Sequence, residues 1–362
     1  MSLEESSWWQ KKSRNYTKKL IIPLPKSRQL MLPICLVGDH NLTTAPFYIP
    51  VQNSILEVET RMRDVTNGHH PDLGSALNHL LSSGGKRVRP AVALLTGAML
   101  EADQDKMISL AASIELLHTA TLVHDDFIDG ALLRRGIPTL NAKWTPGATV
   151  LTGDFIFACA AKLAAQADSV ELMYQFAETL ATIVNGEITQ MFSKNSAYQQ
   201  EEYFNRIYAK TGSLFVLATT APSILSSHRE STYDDARVFG YGIGMAFQII
   251  DDVLDFTGDL SSVGKPVAND LRQGLVTLPA IYYQEIKPED SRMQSILDGN
   301  FIGEDDLNQL VTDIQSSGAI ERSVEQAKEY INQALSALES LPQGPEHEAL
   351  EGLSLYIADR HL

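Results

Sequence analysis

The chain has 362 residues, 44% hydrophobic and 20% charged, enough apolar material for one large or two ordinary globular domains. A formal net charge of -16 excludes a general binder of nucleic acid or anionic membrane, although a local cationic pocket can still hold a phosphate. The two cysteines, Cys35 and Cys159, stand far apart without metal-ligand spacing. A disulfide framework is therefore excluded, and a reducing, cytoplasmic compartment is expected.

No uninterrupted apolar run reaches the roughly 20 residues that span a bilayer, so no transmembrane segment is expected. Residues 1–50 differ from the rest. Lys11, Lys12, Arg14, Lys18, Lys19, Lys26 and Arg28 are interspersed with prolines at 23, 25, 33, 46 and 50. Two readings stand for this stretch: an organelle-targeting presequence, which Glu4, Glu5 and the Trp8–Trp9 pair fit poorly, or a flexible extension, which is the expectation taken forward. From Val51 to Leu362 the pattern is helical, with no linker and no convincing strand-turn-strand alternation. One all-α domain is predicted, a helical bundle with a buried central layer.

In chain order, "GGKRVRP" (84–90) comes first, a glycine pair followed by Lys86, Arg87 and Arg89 in the manner of a loop that wraps an oxyanion. It lacks the spacing of a nucleotide phosphate loop. Residues 107–129 contain neither Gly nor Pro and are apolar on most faces, predicting a buried central helix roughly 35 Å long. That helix ends in Asp125, Asp126 and Asp129, and Arg134 and Arg135 follow before Gly136 and Pro138. Apolar helices are predicted over 150–167 and 171–192. Lys210 and Thr211 then interrupt "RIYAKTGSLF" before Gly212. A long helix over 234–256 tolerates three glycines, which implies close helix packing, and closes with Asp251, Asp252 and Asp255. The carboxy-terminal third, with residues 323–341, reads as peripheral amphipathic helix.

Clustered carboxylates on an apolar helix need compensation, since they repel and are costly to desolvate. On a helix, positions i and i+4 share a face and i+1 lies about 100° away, so each DDxxD projects carboxylates to one side. Oxygen-only ligands suit Mg²⁺, which typically takes one or two carboxylates plus substrate phosphates. A lone cluster reads more simply as a cap or a solvated helix end; two at identical spacing favour metal binding. Arginine's planar fork binds phosphate bidentately, so the basic groups fit a second diphosphate held without metal. His118 lies on nearly the face of Asp125, where a core histidine bonded to a carbonyl is the rival reading. Gln248 precedes Asp251 by one turn, and Lys265 either reaches a phosphate or is simply exposed.

The motifs "GGKRVRP", "LVHDDFIDGALLRRG", "AKTGSLF" and "FQIIDDVLDFTGD…VGKPVANDLRQGLVTLP" stand in the order found in the trans-isoprenyl diphosphate synthases, or polyprenyl synthetases, and the chain resembles that family from about Val51 to Leu362. The resemblance implies an all-α isoprenoid-synthase fold around a central apolar cavity, a homodimer, and head-to-tail condensation of an allylic diphosphate with isopentenyl diphosphate. It implies about two or three Mg²⁺ ions per site. It makes Lys86, Arg89, His118 and Arg135 isopentenyl diphosphate contacts. Asp125, Asp126 and Asp129 become the first metal motif, Asp251, Asp252 and Asp255 the second. Arg134, Lys210, Thr211, Gln248 and Lys265 fall to the allylic diphosphate. The ending "YIADRHL" departs from the family's basic tail, and Arg360 receives no role. The growing prenyl tail is expected to run back along the central helix past Thr121, Ala120 and Leu117. The first two are small, which implies a medium- or long-chain product, with release aided by peripheral membrane contact. That Ala120 is small for tight packing is the other reading. Within the family, geranylgeranyl or farnesyl synthesis is the alternative. A class I terpene cyclase would not need the second aspartate cluster, a diphosphate hydrolase would not need two cationic cradles, and a non-catalytic partner subunit would show eroded aspartates.

Overall fold

Residues 46–50, placed by the sequence in the amino-terminal extension, pack against the helical domain. In the computed structural model, which describes residues 45–82, 84–192, 200–258, 267–300 and 302–360, a 3-10 turn at Pro46–Val51 buries Phe47 and Tyr48. The Phe47 ring lies 5.3 Å from that of Tyr356 near the carboxy terminus. Burying one such ring is worth about 1.5–3 kcal/mol, enough to anchor a segment whose prolines suggested looseness. Residues 1–44, the rest of the predicted extension, lie outside the described residues.

Helices α1 (Gln52–Asp64), α2 (Pro71–Ser82) and α3 (Val88–Met99) lead to the central α4 (Gln104–Ile128). Asp103 caps α4 by accepting the Lys106 amide at 2.9 Å. Nearly every side chain from Met107 to Ala120 is buried, as α4 packs on α1, α3 and α5 (Pro146–Ala165). Ser113 donates to the Ala160 carbonyl at 2.8 Å across the α4–α5 contact. Between α4 and α5, Leu133–Arg134 and Ile137–Pro138 pair as a two-residue antiparallel hairpin, β1 and β2, which the sequence reading did not foresee. Arg135 (φ 52) and Gly136 (φ 76) form its turn, where two positive φ values match the twist of a tight hairpin.

The bundle continues through α6 (Val170–Phe192), α7 (Gln200–Ile207), a π-helical segment at Tyr208–Gly212, α8 (Ser213–Leu225) and α9 (Arg229–Thr257). Three glycines of α9 confirm the close packing expected of them. A Cβ on Gly240 would stand 2.2 Å from the Thr219 hydroxyl, one on Gly242 would stand 2.6 Å from the Tyr330 carbonyl, and one on Gly244 would stand 2.9 Å from the Gly212 Cα. The carboxy-terminal layer comprises α10 (Leu278–Ile286), α11 (Ser291–Leu297), α12 (Glu304–Ser316), α13 (Ala319–Leu338), which lies along α9, and α14 (Pro345–Asp359). By length and composition α4 and α5 are apolar enough to cross a membrane, contrary to expectation; 72% of the apolar window of α4 and 44% of that of α5 is buried inside the protein.

Candidate active site

A cavity of about 1320 Å³ opens between α4, α6, the π segment and α9. Asp125, Asp126 and Asp129 line it from the end of α4, Asp252 and Gln248 from α9, with Arg134 and Lys210 alongside. Lys210 bridges Asp125 and Glu187, 2.9 Å from each. Burial works against its charge, but the two carboxylates outweigh it and hold the ammonium above its ordinary pKa. The Arg134 Nε donates to both oxygens of Asp126, at 2.8 and 3.0 Å. Desolvation nevertheless raises the pKa of Asp126 and of Asp129, with Arg134 and Lys210 respectively opposing it.

The second cluster divides. Asp252 faces the cavity, where it accepts from the Tyr203 hydroxyl at 2.7 Å and from the Gln248 amide at 2.8 Å; Gln248 in turn accepts from Thr211 at 2.6 Å. Burial pushes Asp252 up to about 7 against those two hydrogen bonds. Asp251, one residue and about 100° away, does not line the cavity and pairs with Arg360 at 2.9 Å. Burial raises its pKa too, opposed by Arg360, Arg89 and Lys86. Asp255 is engaged elsewhere: its two oxygens accept the Asn269 and Asp270 amides at 3.2 and 3.1 Å, which caps the one-turn helix Asn269–Arg272.

Behind Asp251 the predicted cations gather. Arg89 is buried over the rings of Phe215 and Phe247, and its Nε has no partner; the Nη1 of Arg360, which also lies over Phe247, has none either. Lys86 reaches the Tyr356 hydroxyl at 3.4 Å, and its carbonyl accepts from Tyr48. Arg135 donates to the Gly84 carbonyl and so joins the two basic loops. Burial, then Arg89, Arg134 and Arg135, hold His118 well below its usual pKa, which leaves a neutral imidazole amid cations. Two buried guanidinium nitrogens without partners, among four cations and one carboxylate, suit a polyanion.

Not every predicted residue reaches the site. Leu117 and Ala120 are wholly buried in the core and Thr121 donates to the His118 carbonyl; none lines the cavity, to whose wall α4 contributes Leu122. Ala120 thus fits the packing reading. Lys265 lies outside the described residues. Conversely, Tyr203, Glu187 and Arg360 belong to the site. Tyr203 and Glu187 carried no motif signal, and Arg360, dismissed from the sequence, is made a partner by the fold.

The donor set fits a divalent ion shared with phosphate. Among the described residues no three acidic, His or Cys groups converge on one point. Asp125, Asp126, Asp129 and Asp252 nevertheless face one cavity, and three of the four are raised in pKa by desolvation. Such carboxylates suit Mg²⁺, whose remaining ligands come from substrate oxygens and water.

Comparison with known proteins agrees. The polyprenyl synthetase family model matches residues 70–314. Heptaprenyl diphosphate synthase component 2 of Bacillus subtilis is 34% identical over 314 residues, 86% of this chain and 90% of that one. The all-trans-nonaprenyl-diphosphate synthase (geranyl-diphosphate specific) of Rhodobacter capsulatus is 39% identical over 291 residues, 79% of this chain and 88% of that one. A Caulobacter crescentus polyprenyl synthase, solved with calcium and isoprenyl diphosphate, superposes with a TM-score of 0.81 at 30% identity, covering 88% of this chain and 98% of that one.

Proposed function

The chain belongs to the polyprenyl synthetase family and has its all-α isoprenoid-synthase fold, and on that premise we propose the roles of its site residues and the length of its product. It is a trans-prenyltransferase. It joins isopentenyl diphosphate head to tail to an allylic diphosphate and makes an all-trans chain longer than geranylgeranyl. The observation that carries the assignment of two diphosphate sites is the split at Asp251–Asp252: a carboxylate-lined cavity lies on one side and a cation cluster with unpartnered nitrogens on the other. The heptaprenyl and nonaprenyl products in the names of the relatives support the length.

On the cavity side, Arg134 and Lys210 take up charge developing on the departing diphosphate, exchanging carboxylate partners for phosphate oxygens. Mg²⁺, about two or three ions held by Asp125, Asp126, Asp129 and Asp252, supplies Lewis-acid stabilisation of that same charge when bound. On the other side, Lys86, Arg89, Arg135 and Arg360 hold isopentenyl diphosphate with its double bond towards the allylic cation. Neutral His118 adds a hydrogen bond without adding charge. The coupled cation then loses a proton to the departing diphosphate. Phe215 and Phe247 exclude water behind the cations. Leu151 on α5 and Val184 on α6, exposed by 69% and 44%, are apolar surface of the kind a homodimer would cover.

The test is to incubate the protein with Mg²⁺, farnesyl diphosphate and isopentenyl diphosphate and to weigh the products. Prenyl diphosphates beyond geranylgeranyl are expected. Products that stop there overturn the length, and isopentenyl diphosphate left unconsumed overturns turnover by this chain alone. The word "component" in the name of the Bacillus relative favours a second reading, in which another polypeptide is required. Turnover by the purified chain alone decides against it.

A further inference from the structure

One cation of "GGKRVRP" is held by carboxylates of the protein itself. Arg87 is 6% exposed, its Nε 3.0 Å from Glu59 on α1 and its Nη1 3.0 Å from Glu115 on α4, itself 6% exposed. A third donor, Nη2, reaches the Leu81 carbonyl at 3.4 Å. The Arg87 backbone is left-handed, φ 49, a conformation that costs any residue with a Cβ and needs an outside constraint to persist. The side chain folds back under Gly85, where a Cβ would stand 2.8 Å from Nη1 and would have to displace the guanidinium. Glu115 stands three residues before His118 on α4; Lys86 precedes Arg87 on the loop, and Arg89 follows it in the first turn of α3.

We propose that Glu59, Arg87 and Glu115 are positioning residues that set the geometry of the isopentenyl diphosphate cradle. The buried pair fixes the kink at Arg87. That kink sends Lys86 towards Tyr356 and Arg89 inwards over Phe215 and Phe247. Neither carboxylate touches substrate; both act through Arg87. Burying an ion pair seldom adds stability over an apolar pair of similar volume, so stability alone does not account for it.

The inference rests on assigning the Lys86–Arg89 side to isopentenyl diphosphate. The test is the double variant Arg87→Met/Glu115→Leu, which removes the two buried charges together and leaves only the partly exposed Glu59 without its partner. Its melting temperature should stay within a few degrees of wild type. Its KM for isopentenyl diphosphate should rise about tenfold, with kcat and the allylic KM within about twofold. A folded double variant with both KM values unchanged overturns the positioning role. A rise in the allylic KM alone overturns the site assignment instead, and the two failures are thereby distinguished. Should the double variant not fold, Glu59→Gln at the rim decides. A selective rise of about threefold in the isopentenyl diphosphate KM supports the inference, and an unchanged value overturns it.

Discussion

Asp252, buried, and Asp290, half-buried, both accept a tyrosine hydroxyl at 2.7 Å, from Tyr203 and Tyr283 respectively, yet their protonation equilibria are displaced in opposite directions. Asp290 caps α11, with the Arg292 guanidinium at 2.6 and 3.0 Å, and Arg292 reaches on to Asp313 at 2.7 Å. The Arg292 hydrogen bonds hold the Asp290 carboxyl well below the usual carboxylate range. Asp252 has a neutral amide where Asp290 has a guanidinium, and burial pushes it up to about 7. At the periphery the protein supplies its own countercharge. Beside the cavity it leaves a carboxylate short of positive charge, which suits a cation that arrives with substrate.

The contrast breaks most visibly at Asp252. Asp252→Asn should lower turnover at least about 100-fold while the ligand-free melting temperature holds or rises, since an under-compensated buried charge disappears. Turnover within about tenfold of wild type, a barrier change of ~1.4 kcal/mol, contradicts it.

Next comes pH, where the two sites should act with opposite sign. Asp290 has a depressed folded pKa, so its contribution is fully present above the unfolded value of about 3.9 and is lost as pH falls through the folded one. Asp252 has a raised folded pKa. Between about 4 and 7 the native state holds a proton that the unfolded chain has released, so stability falls as pH rises through that window. Denaturant titrations of the ligand-free protein should show the Asp290 limb flattened in Asp290→Asn and the neutral limb flattened in Asp252→Asn. Asp290→Asn should cost about 1–3 kcal/mol near neutral pH and leave kcat and KM alone.

The smallest effect sharpens the comparison further. Tyr283→Phe and Tyr203→Phe each remove one hydrogen bond, worth about 1 kcal/mol in stability. Only Tyr203→Phe should also change turnover and weaken Mg²⁺ binding measured by calorimetry. Equal kinetic behaviour of the two variants would show that Tyr203 merely packs.

The sequence made the helical elements and the chemical groups readable, and left the directions of the groups unread. The central helix was foreseen at 107–129 and found at 104–128 because nothing within it breaks helix. Its burial on every side is also why Ala120 and Thr121 were sent to a wall they do not line: without an exposed stripe, periodicity does not say which face meets the cavity. Asp255 matched its motif, but a loop 14 residues on supplies the amides that occupy it. Arg360 was passed over because it approaches Asp251 only once α14 docks, a contact between residues more than 100 positions apart. The packing of residues 46–50 was hidden by prolines that a 3-10 turn accommodates.

The three glycines of α9 have a consequence for how this chain can vary over generations. Gly240, Gly242 and Gly244 abut Thr219 on α8, Tyr330 on α13 and Gly212 in the π segment. The smallest available change, a single methyl group, is therefore a wedge against a different neighbour at each site. One of those neighbours, Gly212, closes the π segment that carries Lys210, so the wedge at Gly244 would be felt where charge is handled although the glycine carries none. Drift will consequently be most restricted not only at the aspartates and arginines but also at three uncharged positions that meet no substrate.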